Sequence, residues 1–139
     1  MIGPNFVHEL EAAGLMGKPI SWTTTGDVKK GDLTEEEEAA LASVIAAHDP
    51  TKAPISWIKA EAGRRIIEIA EEWKQRNLIA QATLLLAKGP ANWSEDDIAA
   101  WTAGELLWTQ IAQIRAKSDE LEAQGCTLDE LADDATWAA

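Results

Sequence analysis

From Ile55 to Ala123 apolar residues recur at spacings of three and four, with polar residues between them. That spacing is the helical repeat. Ile58, Ala62, Ile66, Ile69, Trp73, Asn77, Ala80, Leu84 and Ala87 draw one stripe, and the pattern predicts a single helix over 56–87. Lys59, Arg64, Glu71, Lys74 and Gln75 line its other face. Lys88 and then Gly89-Pro90 end it, a basic last turn followed by residues that cannot continue a helix. Ser94 opens a second helix, with Asp97 as a short counterpart of a capping-box glutamate and three acids in the positive first turn. Ile98, Trp101, Trp108, Ile111, Ile114 and Leu121 carry its stripe to Ala123, and Gly125 closes it. The link over 89–93 is short, which makes the two helices antiparallel neighbours. The expected hairpin core is Ile66, Ile69, Trp73 and Leu84 against Trp101, Trp108 and Ile111.

The flanks read as shorter elements. Phe6, Val7 and Leu10 give an amphipathic helix over 4–13, stopped by Gly14. Ile20 to Thr25 is β-branched and aromatic, Gly26-Asp27 is a turn signal, and Val28 to Lys30 returns as a second strand. Thr34 and Glu37 form a capping box for a helix running through Leu41, Val44 and Ile45 to His48, ended by Asp49-Pro50. Thr127 and Glu130 form another, starting a short helix that carries Leu128 and Leu131. The chain is therefore expected to be mainly α. A small α+β head over 1–54 precedes a long two-helix hairpin over 55–124 and a tail with a short helix over 125–139. Pro19-Ile20-Ser21-Trp22 recurs as Pro54-Ile55-Ser56-Trp57, once in a strand and once at a helix start. The repeat is either chance or a sign that both tryptophans mark docking points.

Charge adds a pairing rule. Residues 55–91 carry six Lys/Arg against four Asp/Glu, whereas 92–139 carry two against eleven. Opposite signs on adjacent arms favour their association over side-by-side packing of two acidic arms. The formal charge of −12 argues against nucleic acid and anionic membrane as partners. One cysteine, Cys126, permits no internal disulfide. No apolar run follows Met1 and no segment reads as a membrane span. Asn92-Trp93-Ser94 matches a glycosylation site, and without a secretory segment its serine reads as a helix cap.

Little of the sequence reads as reactive chemistry. No phosphate loop, paired cysteines or histidines at helical spacing are present. The acids Glu35 to Glu38 complement a helix dipole better than they make a cation site. His8 reads as a surface residue, and His48 as one that complements a helix C-terminus when protonated. Cys126 lies among acids that discourage thiolate formation. Glu105, between Trp101 and Trp108, reads as a margin residue reaching water. No catalytic residue, metal or cofactor is expected. Seven tryptophans beside one phenylalanine and no tyrosine are the strongest signal. Trp22, Trp57, Trp93 and Trp137 lie at segment ends, where such side chains anchor protein contacts.

Leu33-Thr34-Glu35-Glu36 leading to Val44-Ile45-Ala46-Ala47-His48-Asp49-Pro50, after the aromatic strand Ile20-Ser21-Trp22, resembles the N-terminal part of small proteins of tailed bacteriophages. Glu61-Ala62-Gly63-Arg64-Arg65-Ile66, Trp73-Lys74-Gln75-Arg76-Asn77, Trp108-Thr109-Gln110-Ile111 and Ile114 to Asp119 resemble the helical hairpin of phage tail-fibre and tail-fibre-assembly proteins. The resemblance implies a structural protein of the virion tail, made in the host cytoplasm, that supports a tail fibre or baseplate subunit. The alternative it leaves is an assembly chaperone or adaptor absent from the particle. It carries no catalytic residues, and it suggests a homo-oligomer, a trimer by analogy with fibres.

Overall fold

The computed structural model describes residues 1–138. Its helices are α1 (Phe6–Ala12), α2 (Glu35–Ala47), α3 (Ile55–Ile69), α4 (Glu72–Lys88), α5 (Glu95–Gln124), α6 (Leu128–Ala132) and α7 (Asp134–Trp137). The strands β1 (Ile20–Trp22) and β2 (Val28–Lys30) pair antiparallel, with Ile20 opposite Lys30 and Trp22 opposite Val28. The chain is mainly helical with a small α+β part. It divides into two compact units, one of residues 1–57 with 125–136, the other of 58–124 with 137–138.

The first unit closes over Phe6, Leu10, Leu15 and Leu41, with Ile2, Ile20, Val28, Leu33, Ala40 and Val44 around them. Both capping boxes form as the sequence predicts. Thr34 accepts from the Glu37 N–H while Glu37 accepts from the Thr34 N–H, and Thr127 and Glu130 do the same. These bonds satisfy donors that the first helical turn leaves open. The tail is not the separate piece expected over 125–139. Ala53 N–H donates to the Cys126 carbonyl at 2.9 Å, and Leu128 N–H to the Thr51 carbonyl at 2.8 Å. The 51–54 segment, read as a linker, is thus a short strand-like edge that holds the tail. Ala53, Pro54, Cys126 and Leu131 are buried beside it.

In the second unit the expected single helix over 56–87 is two helices. Glu71 takes an extended conformation (φ −57°, ψ 153°) and serves as the N-cap of α4. No glycine or proline marks the place. The released Ala70 carbonyl accepts from the Gln75 side chain at 2.7 Å, and Ala70 itself is buried. The break changes which side of the next helix faces inward. Gln75, Leu78, Ala82 and Leu85 are covered to varying degrees, while Trp73, Asn77, Ala80, Leu84 and Ala87 are exposed. Trp73 at 58% exposure and Leu84 at 72% are therefore not core residues. Ile66, Ile69, Trp101 and Trp108 are half-buried, and Ile111 is fully buried.

The second arm follows the reading closely. α5 has 30 residues, about 45 Å at 1.5 Å per residue. Its cap is reciprocal: Asp97 N–H donates to the Ser94 hydroxyl and Ser94 N–H to the Asp97 carboxylate at 2.9 Å. Lys88 at the end of α4 pairs with that carboxylate. Gly89 makes the turn at φ 84°, in the region that glycine enters without strain. Asn92 donates to the Lys88 carbonyl at 3.0 Å. At the far end Lys59 of α3 meets Glu122 of α5 at 3.5 Å.

Two expected core positions, Ile111 buried and Leu84 exposed, give a direct test. Ile111→Ala is expected to lower unfolding free energy by about 2–5 kcal/mol, as a buried truncation does. Leu84→Ala, in dilute solution, is expected to change it by no more than about 0.5 kcal/mol. Urea denaturation followed by circular dichroism reads both, and equal costs would contradict the break at Glu71.

Candidate interaction site

In the first unit, α1 and α2 together fix one aromatic side chain at the surface. α1 presents Phe6 inward, where it is met edge-on by Trp22 at 5.3 Å and by His48 at 5.1 Å. His48, expected to complement the end of its helix when protonated, instead has both ring nitrogens engaged. It is the extended C-cap of α2, and its ring is buried. The Gly3 N–H donates to Nε2 at 2.9 Å, so Nε2 carries no proton there. The proton therefore lies on Nδ1, 2.6 Å from the Glu9 carboxylate to which it donates. With both nitrogens engaged, this ring ties α1, α2 and the 1–3 segment together and is not poised as a ligand or base. Gly3 has no room for a side chain, since a Cβ would fall 2.2 Å from the Pro50 carbonyl oxygen. His8 lies at the surface near Glu11.

Trp22 caps this arrangement from β1 and stays 38% exposed. Trp57, at the start of α3 and in the same unit, is 48% exposed. The other two tryptophans proposed as anchors are committed internally. The Trp93 indole N–H donates to the Leu85 carbonyl at 2.7 Å, and its ring lies 5.0 Å from Trp101. Trp93 thus closes the α4–α5 turn. Trp137 is buried, with the Arg65 guanidinium 5.2 Å above its ring, a cation–π contact.

The second unit carries a shallow crevice of about 60 Å³ between α4 and α5, lined by Leu78, Ala82, Leu85, Trp101, Gly104 and Trp108. It is smaller than the several hundred Å³ of a drug-sized ligand site. Glu105 borders it and is exposed to water. The outward side of α4, with Trp73 and Leu84, is an apolar surface that the stripe located but assigned to the core. The Trp73 indole donates to the Glu71 carboxylate beside the helix break.

The ionisable groups follow from these contacts. The Lys18 ammonium, then the Thr34 cap, hold the Glu37 carboxyl below its usual range. Arg64 does the same for Glu61, and Lys88 followed by the Ser94 cap for Asp97. Burial, with Glu130 nearby, pushes the Cys126 thiol up, which suppresses the thiolate that a nucleophile needs. Among the described residues no group of three His, Cys, Asp or Glu is arranged to hold a metal ion, and no helix is long and apolar enough to cross a membrane. No family model, curated protein or solved structure matches the chain.

These directions set the pH dependence. Glu37, Glu61 and Asp97 bind protons more weakly folded than unfolded, so their contribution is present above the unfolded carboxylate values of about 3.9–4.3. It is lost as pH falls through the lower folded values. Cys126 holds its proton more tightly when folded, so stability also falls as pH rises past the unfolded thiol value of about 8.5. Thermal melts from pH 2 to 10 are expected to show both losses. In Cys126→Ser the alkaline loss should shrink, and an unchanged alkaline limb would show that the thiol plays no part.

Proposed function

We propose that the protein works by binding another protein and that it belongs to the tail apparatus of a tailed bacteriophage. There it supports a tail-fibre or baseplate subunit. The observation that carries the binding role is Trp22, held by Phe6 on one side and open to solvent on the other. A rigid, half-exposed tryptophan supplies contact area with little ordering cost, the property that makes such residues dominate interface energies. The strands on which it sits have no third neighbour among the described residues, so an extended segment of a partner has an edge to join. Trp57 is a second exposed anchor in the same unit. The phage setting rests on the resemblance of Leu33 to Pro50 and of the helical segments around Trp73 and Ile114.

A chaperone or adaptor that leaves before the particle is complete would use the same surface. Mass spectrometry of purified virions separates the readings: stoichiometric presence supports a structural component, and absence supports the chaperone. For the surface itself, Trp22→Ala is expected to weaken capture of the fibre or baseplate subunit by at least about tenfold, a loss of 1.4 kcal/mol or more. Helicity should be nearly unchanged. Equal capture by the variant and the parent chain would remove Trp22 from the interface.

A further inference from the structure

We propose that the crevice between α4 and α5 is a socket for one arginine side chain of a partner protein. Trp101, Glu105 and Trp108 stand four and three residues apart on α5, so they share one face of the helix, with the carboxylate between the two indoles. All three border the crevice, and Leu78 and Ala82 of α4 give it an apolar wall. Its volume of about 60 Å³ suits the end of one side chain, since a single water needs roughly 10–15 Å³. Gly104 also lines it. A Cβ there would meet the Leu78 Cδ2 at 3.7 Å, an ordinary contact. An alanine would therefore fit, and a glycine in mid-helix is the less stable choice. What the glycine leaves is open space in the crevice.

Charge selects the occupant. Glu105 makes no ion pair or hydrogen bond among the described residues. The polar residue that α4 contributes to the lining is the uncharged Gln81, so the chain supplies no cation of its own here. α5 carries seven acids against two bases, and the field around the crevice favours a positive group. An apolar side chain seated there would strip water from the carboxylate and return nothing. A lysine would return charge alone. Arginine returns charge as a planar fork, which bonds a carboxylate through two N–H groups and stacks on an indole face. Its methylene stem covers the apolar wall at the same time. The socket lies in the second unit and does not involve Trp22.

The probe is the blocked peptide acetyl-Ala-Ala-Arg-Ala-Ala-amide, titrated into the full chain and followed by the indole N–H resonances in nitrogen-15 NMR. Saturable shifts are expected at Trp101 and Trp108 and not at Trp22. The peptide with lysine in place of arginine should bind at least about threefold more weakly, and the one with norleucine at least about tenfold. Glu105→Gln, at an exposed site, should weaken the arginine peptide at least about tenfold with an unchanged circular dichroism spectrum. Gly104→Ala, which fills the crevice and keeps the carboxylate, should weaken it at least about threefold while the melting temperature holds or rises. Four results would each overturn the proposal: no saturable shift at the two indoles up to about 10 mM peptide, equal binding of the norleucine peptide, indifference to Glu105→Gln, or free arginine binding more tightly than the peptide. Indifference to Gly104→Ala would do the same.

Discussion

The bond from the Gln75 side chain to the Ala70 carbonyl, 2.7 Å long, marks the constraint on which the second unit turns. A helix that ends in mid-arm leaves carbonyls without partners, and a buried one is costly unless something else donates to it. Gln75 lies one turn into α4 and reaches back across the gap, so the start of α4 satisfies the end of α3. Glu71, extended between them, passes its own carbonyl to the Gln75 N–H at 2.9 Å. Gln75 therefore uses its backbone to begin one helix and its side chain to finish the other.

The rotation of α4 follows. Two residues outside the helical repeat, Ala70 and Glu71, offset the phase that Ile58, Ala62 and Ile66 set. The face carrying Leu78, Ala82 and Leu85 then turns toward α5, and the side carrying Trp73 and Leu84 turns outward. Because α4 has apolar residues on both faces, either orientation buries something. Burial alone does not choose between them, and the closed turn helps to. Lys88 pairs with Asp97, Asn92 with the Lys88 carbonyl, and Trp93 with the Leu85 carbonyl. Trp93 reaches that carbonyl here with Leu85 on the α5 side.

What could be read in the sequence divides along the same line. Local chemistry was legible: three helix starts were visible in Thr34, Ser94 and Thr127, because a cap needs particular side chains at a fixed offset. The hairpin of β1 and β2 was legible through Gly26-Asp27. The break at Glu71 was not, since Glu and Ala are common helix residues and nothing local opposes their continuing. What accompanies it is a buried Ala70 and a glutamine one turn on. The aromatic anchors divide in a related way. Position at a segment end singled out four tryptophans, but Trp93 and Trp137 sit where ends meet other parts of the chain, and only coordinates separate those from Trp22 and Trp57.

His48 shows how the first unit converts a titratable group into structure. A buried imidazole must satisfy two nitrogens of opposite character. Gly3 supplies a donor and Glu9 an acceptor, from two segments more than 35 residues away in sequence. The Gly3 donor fixes the tautomer, and the tautomer in turn requires both partners to stay. Phe6 then packs against that fixed ring and, on its other contact, against Trp22. The orientation of the exposed indole thus depends on a chain of contacts reaching back to the backbone of Gly3. An interface residue held in this way is ordered before its partner arrives, and that lowers the entropic cost of binding.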